Sequence, residues 1–204
     1  MIDSFSLIQY SLKFQEIQPS TSIEIDCKKE IFFNMGEVML SNILDWCYKN
    51  TNILKAKDDE NNGKSFIHFA SENGYTPVVA DLLTNELDIN VEDKSQYTPL
   101  HLASKRGHTE VVELLIQYGA SLNCKSNSKQ SPLQIASYNG HKEVVELLIK
   151  NGANVNLLDD QKSTVLHGTS SKGFLEIVKL LIENGAQVNG QQKDDKTPLY
   201  FSFI

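Results

Sequence analysis

The chain has 204 residues, 40% hydrophobic and 22% charged, with 19 Lys and Arg against 26 Asp and Glu for a net charge of −7. Such a composition is ordinary for one or two folded units or one short repeat array. The acidic balance argues against non-specific binding to nucleic acid or an anionic membrane surface, leaving room only for a local basic patch, and no apolar run approaches bilayer-spanning length.

Residues 1–31 alternate apolar and polar side chains at Ile8-Gln9-Tyr10-Ser11-Leu12-Lys13-Phe14 and again at Ile23-Glu24-Ile25-Asp26-Cys27. Alternation predicts a short β element with Pro19-Ser20-Thr21-Ser22 as its turn, and a helix from Phe5 is the competing reading. No basic residue precedes Lys13, so this end does not read as a secretory signal. From 32 to 64 the pattern changes: Val38-Met39-Leu40, Ile43-Leu44 and Trp46-Cys47 have helical spacing, followed by a polar run, Asp58 to Gly63. Trp46 suits a bulky plug over the end of whatever follows.

From Ser65 onward one unit recurs every 33 residues. Thr98-Pro99-Leu100-His101-Leu102-Ala103-Ser104 matches Ser131-Pro132-Leu133-Gln134-Ile135-Ala136-Ser137. Gly107-His108 matches Gly140-His141, and Val111-Val112-Glu113-Leu114-Leu115-Ile116 matches Val144-Val145-Glu146-Leu147-Leu148-Ile149. The register runs back to Ser65-Phe66-Ile67-His68 and forward to Thr164, Leu166-His167 and Gly173, then to Thr197-Pro198-Leu199-Tyr200. A fixed period means stacked copies of one unit.

Local chemistry says what the unit is. Thr98 is a helix cap and Pro99 falls at the first helical position, where its missing N–H is harmless. Gly74, Gly107, Gly140 and Gly173 break the helical pattern for a turn needing positive φ. Glu110, Glu143 and Glu176 begin a second helix, where its dipole favours negative charge, and Gly119, Gly152 and Gly185 end it. Polar stretches such as Ser121 to Gln130 read as extended, hairpin-like fingers.

These residues resemble the ankyrin repeat, with its Thr-Pro-Leu-His-x-Ala opening, Gly-His and Val-Val-x-Leu-Leu run. The resemblance implies an all-α solenoid of stacked helix-turn-helix units with finger loops. It divides the chain into a non-repeat extension 1–31, a degenerate repeat 32–64, repeats 65–97, 98–130, 131–163 and 164–196, and a begun repeat at 197–204. Leu199, Phe201, Phe203 and Ile204 would lie at an uncovered end, so the sequence reads as a fragment of a longer protein, with an end sealed by a partner as the alternative. Two repeats depart from the pattern. The one at 164 has Val165, Gly168 and Thr169 where its neighbours have proline, an aliphatic residue and alanine. The one at 65 has Asp81 for leucine and Glu86 for the capping glycine. Glycine inside a helix costs about 1 kcal/mol relative to alanine, so 164–196 is expected to be the weakest unit.

Catalysis, metals and cofactors find no support. All five histidines fall at repeat positions, as structural parts do, and are expected to bond neighbouring loop backbone. Cys27, Cys47 and Cys124 form no Cys-x-x-Cys pair and suit a reducing, cytoplasmic setting, with the nucleus as the alternative. Gly63-Lys64-Ser65 lacks the glycine that a phosphate-binding loop needs five residues earlier, where Asp58 stands. The acidic pairs Asp58-Asp59, Asp159-Asp160 and Asp194-Asp195 read as solvated.

What remains is a surface. The resemblance implies that partners lie in the concave groove of first helices and finger tips. The residues that the scaffold leaves free there are Lys94, Tyr97, Lys105, Arg106, Asn127, Gln130, Tyr138, Asn139, Asp160 and Lys172. Tyrosine and arginine are frequent interface anchors, which singles out Tyr97, Arg106 and Tyr138 as a line along the groove. Lys94, Lys105 and Arg106 make a basic cluster that would steer an acidic segment of a partner protein. The expected function is a non-enzymatic protein-binding module, with no nucleic acid, membrane or small-molecule substrate. The alternative is the targeting arm of a larger multidomain enzyme such as a kinase or ubiquitin ligase. Asn90, Asn123, Asn156 and Asn189 recur at a position that is hydroxylated in some proteins of this family.

Overall fold

The computed structural model describes residues 62–84, 87–190, 192–193 and 197–198. The β element of 1–31, nearly all of the degenerate repeat 32–64 including Trp46, and the end from 199 lie outside the described residues, as does Glu86. The chain divides into two compact units, Met1–Ile43 and Leu44–Ile204, and every described residue belongs to the second.

Eight helices lie among the described residues: α1 Phe66–Glu72, α2 Thr76–Thr84, α3 Pro99–Arg106, α4 Thr109–Gln117, α5 Pro132–Tyr138, α6 Lys142–Lys150, α7 Val165–Lys172 and α8 Leu175–Glu183. They pair in sequence as helix-turn-helix units. First helices stack in the order α1, α3, α5, α7, and second helices in the order α2, α4, α6, α8. The core is the seam between these rows. Leu100, Ala103, Leu133, Ala136 and Leu166 face Val79, Leu82, Val112, Leu115, Val145, Leu148 and Leu181, all nearly inaccessible to water. A helix of seven to nine residues is not stable alone, and each unit depends on its neighbour to cover its apolar flank.

Polar chemistry sets the spacing of the stack. Ser65, Thr98, Ser131 and Thr164 are extended residues that cap the first helices, as expected. In each case the third helical residue returns the favour. Thr98 N–H donates to His101 Nδ1 at 3.1 Å, so that nitrogen is an acceptor and the proton sits on Nε2. Nε2 then donates to Gln130 O at 3.1 Å, in the next finger. His68 does the same between Ser65 N–H (3.1 Å) and Tyr97 O (2.9 Å). Gln134 replaces histidine in the third described unit and reproduces the pattern: its Oε1 accepts from Ser131 N–H at 3.0 Å and its Nε2 donates to Leu157 O and Ser163 O at 3.1 and 3.2 Å. The position therefore needs a neutral group with an acceptor at one end and a donor at the other.

The second histidine position also bridges units. His108 Nε2 donates to Glu72 O and His141 Nε2 to Lys105 O, each at 3.0 Å. These rings press on the turn glycine of the preceding unit. A Cβ on Gly107, which has φ of 77°, would stand 2.5 Å from His141 Nδ1. Positive φ and the ring together demand glycine there. Phe174 takes the ring position over Gly140.

The fingers are tied to each other by a repeating backbone bond: Lys94 N–H to Asn62 O, Asn127 N–H to Ser95 O, Asp160 N–H to Ser128 O and Lys193 N–H to Gln161 O, at 2.8, 3.0, 3.1 and 3.0 Å. Asp159 corrects one expectation. It is not merely solvated, because its Oδ1 accepts from Gln161 N–H and Ser163 N–H at 2.9 and 2.8 Å and clamps the finger turn. Asp93 does the same for Ser95 and Tyr97. A third inter-unit tie runs from Asn90, Asn123 and Asn156, whose Oδ1 atoms accept from Ser121, Asn154 and Gln187 N–H.

Burial holds His101 down at about 4 from an ordinary 6.5. Between those values the unfolded chain binds the extra proton first, so stability is complete above about pH 6.5 and drains as pH falls towards 4. Denaturant melts against pH should show this slope. His101→Gln should keep the fold and flatten it, whereas His101→Ala should cost about 1–3 kcal/mol at neutral pH by orphaning the cap N–H and the Gln130 carbonyl.

In the last described pair, Thr169 fills the position of Ala70, Ala103 and Ala136 fully buried, and returns its hydroxyl to Val165 O at 2.9 Å. That bond satisfies the hydroxyl and loosens the helix. Native-state hydrogen exchange should find α7 and α8 opening first. Uniform protection from 65 to 196 would count against it.

Candidate functional site

Two columns of side chains run along the stack at the C-terminal ends of the first helices. One is Glu72, Lys105, Tyr138 and Ser171, and the other is Asn73, Arg106, Asn139 and Lys172. From Lys105 onward both columns are exposed. Their backbone positions are set by the capped helices, so each side chain is displayed from a fixed base.

The columns touch across units with one offset. Arg106 Nη2 lies 3.0 Å from Glu72 Oε1. Lys172 Nζ stands over the Tyr138 ring, 4.7 Å from its centroid. Both pairs are 34 apart in number (106 − 72 and 172 − 138). A second offset links each finger to its own helix. Lys64 pairs with Glu72, and Lys105 Nζ stands 5.7 Å from the Tyr97 ring centroid. Burial acts to raise the Glu72 pKa, but the hydrogen bonds and charges of Lys64 and Arg106 outweigh it and hold the carboxyl below its usual value. The Tyr97 hydroxyl is pushed up by burial and then by the charge of Asp93.

The expected basic cluster is therefore divided. Arg106 is paired with Glu72, which it shares with Lys64, Lys105 covers Tyr97, and Lys94 sits exposed on the adjoining finger. Tyr97 and Tyr138 are not equivalent positions: Tyr97 stands at the foot of a finger beside His101, with ring centroids 5.5 Å apart, and Tyr138 ends α5. Asn127, Gln130 and Asn139 carry structural duties. Asn127 Nδ2 donates to Lys94 O, Gln130 O accepts from His101, and Asn139 Nδ2 donates to Ile135 O. Asp160 is exposed at a finger tip, its backbone engaged with Ser128. Tyr138 with Lys172, and Tyr97 with Lys105, are the pairs that the structure assembles.

Sequence reasoning missed two contributors. Lys64 stands in the sequence only within an incomplete phosphate motif. Gly168 stands there only as a helix-weakening glycine, yet a Cβ at that position would meet Tyr138 Cδ2 at 3.1 Å, so the bare backbone makes room for the ring. Phe69, Leu102 and Ile135 hold that position in the other units. The eight-residue and 34-residue offsets were countable in the sequence, but nothing there marked them as contacts.

Charge is unevenly distributed. Glu110, Glu113, Glu143, Glu146, Glu176 and Glu183 lie exposed on the second helices against Lys142, Lys150 and Lys179, and Lys142 meets Glu146 and Glu176 at 3.7 and 3.8 Å. The first-helix columns carry Lys105, Arg106 and Lys172 against Glu72 alone. Among the described residues no group of three His, Cys, Asp or Glu side chains is arranged to hold a metal, and no helix is long and apolar enough to cross a membrane. The lone described cysteine, Cys124, donates its thiol to Ser121 O, and burial pushes its pKa up, away from a reactive thiolate.

A family model described as ankyrin repeats in three copies matches residues 39–126, 67–159 and 133–203, most of the chain. The chain belongs to the ankyrin-repeat family. No curated protein matches it. Ankyrin repeats are in general modules of protein–protein interaction, and the paired columns are where this solenoid departs from a repetitive surface.

The Glu72 carboxylate is the one negative charge in the two columns. Because its folded pKa is depressed, its stabilisation is present above the ordinary carboxylate range and lost as pH falls through the folded value. Glu72→Gln should lower the denaturation midpoint slightly at pH ~7 and not at all at pH ~2–3, as paired denaturant titrations would show.

Proposed function

We propose that this solenoid is a non-enzymatic binding module that grips a partner protein through its groove, and that the partner offers an acidic segment. One observation carries the reading: cationic and tyrosine side chains line the first-helix columns while exposed carboxylates gather on the second helices. Such separation steers a negatively charged partner towards one face of an acidic protein. The capped helices and linked fingers support the reading too, because a rigid surface loses little freedom on binding. A reducing, cytoplasmic setting goes with this proposal.

Affinity capture with the full chain, repeated with Tyr97→Ala and Tyr138→Ala, identifies the partner. With that partner, Lys105→Glu combined with Arg106→Glu should slow association by about tenfold in low salt and much less near 0.5 M salt. Circular dichroism on the variant guards against unfolding. Association unchanged in a folded variant would refute the acidic-segment reading.

A further inference from the structure

Two lysine–tyrosine pairs stand along the groove, their lysines two units apart and in different columns. Lys105 lies over Tyr97 in the unit of α3, and Lys172 lies over Tyr138 from the unit of α7. Neither lysine forms an ion pair among the described residues, whereas Arg106 and Lys64 are both committed to Glu72. The unit between them offers only neutral Tyr138 and Asn139 in the two columns. The surface thus has two cations outside any ion pair among the described residues, with an uncharged, partly aromatic stretch between their helices, Tyr138 being 46% exposed.

From this we infer that the groove recognises an extended acidic peptide segment by two carboxylates set four or six residues apart. The inference rests on the acidic-segment reading above and gives it a register. Adjacent packed helices lie roughly 8–10 Å apart, and Lys172 reaches back over Tyr138 of the intervening unit, so the two charges are between one and two steps apart, about 10–20 Å. An extended chain rises about 3.3 Å per residue and turns alternate side chains to the same side. Two side chains facing the groove must therefore be an even number of residues apart. Four residues span about 13 Å and six about 20 Å, both within that range, and two span too little. One carboxylate meets Lys105 beside Tyr97, and the other meets Lys172 above Tyr138. The residues between them pass over Asn139, where an apolar or hydroxyl side chain fits and a third charge gains nothing. Gly168 is a positioning residue here. By leaving the space beneath Tyr138 empty of a side chain, it lets the ring lie against α7, where Lys172 reaches it.

The test uses the isotopically labelled full chain and uncharged-ended serine–threonine peptides carrying two glutamates, titrated by NMR in low salt. The peptides with glutamates four or six apart should include one that binds roughly two- to fivefold more tightly than isomers with a spacing of three or seven, the gain expected from one added exposed ion pair. Lys105→Ala and Lys172→Ala should each erase that advantage, Lys150→Ala on the second-helix row should not, and Gly168→Leu should weaken binding as Lys172→Ala does. Equal binding of all isomers would overturn the two-point register while leaving the acidic reading intact. Absence of any shift at the first-helix ends, with every acidic peptide, would sink both. Self-association of the chain that Lys172→Glu abolishes would name a second copy as the occupant and overturn the peptide proposal.

Discussion

The neutral group at the third position of each first helix is the constraint on which the stack depends. It has to accept from the cap N–H behind it and donate to a carbonyl of the next finger, and only a ring or amide with opposite polarity at its two ends does both. Burial strengthens these bonds and makes their loss expensive. The apolar flanks supply the driving force, but they are non-directional and tolerate sliding. The histidine and glutamine bridges turn that adhesion into one register, and the second-position rings lock it by closing over the turn glycines.

A scaffold so thoroughly occupied leaves few side chains for anything else. Inward positions are spent on packing, finger backbones on linking, and the recurrent asparagines on ties between loops. The ends of the first helices escape because they point past the seam and past the fingers. Function in this family therefore concentrates where repetition breaks. In this chain the breaks are chemical: a carboxylate at Glu72, a lysine at Lys105 and a tyrosine at Tyr138 occupy the same position in successive units. Each is then modified by a neighbour from another unit or finger, so the surface is a set of pairs and not a row of independent residues.

Among the described residues three buried hydroxyls have no hydrogen-bond partner, those of Ser71, Ser104 and Ser137, again one position in three units. They sit where close helix approach requires a small side chain. Size is the reason for that choice, and the structure offers no further account of the hydroxyl.

Much of this was legible beforehand. Thr98, Pro99, Gly107 and Gly119 announced caps, turns and stops because those roles depend on local backbone chemistry, and the period exposed the stacking because equivalent contacts recur with it. The all-α solenoid followed from these alone. The site was legible only as a list. The sequence identified which positions the scaffold did not need, including Lys105, Tyr138 and Lys172, but not that Arg106 would share Glu72 with Lys64 or that Lys172 would settle over Tyr138. Those outcomes depend on the lateral offset between neighbouring units, and that offset is fixed by packing distance and ring closure across the interface. Sequence alone determined the unit and its repetition, since hydrogen bonding within a turn of chain is local. Tertiary structure decided which charges survive on the surface, since that is settled by side chains far apart in number and brought within a few ångströms only by the stack.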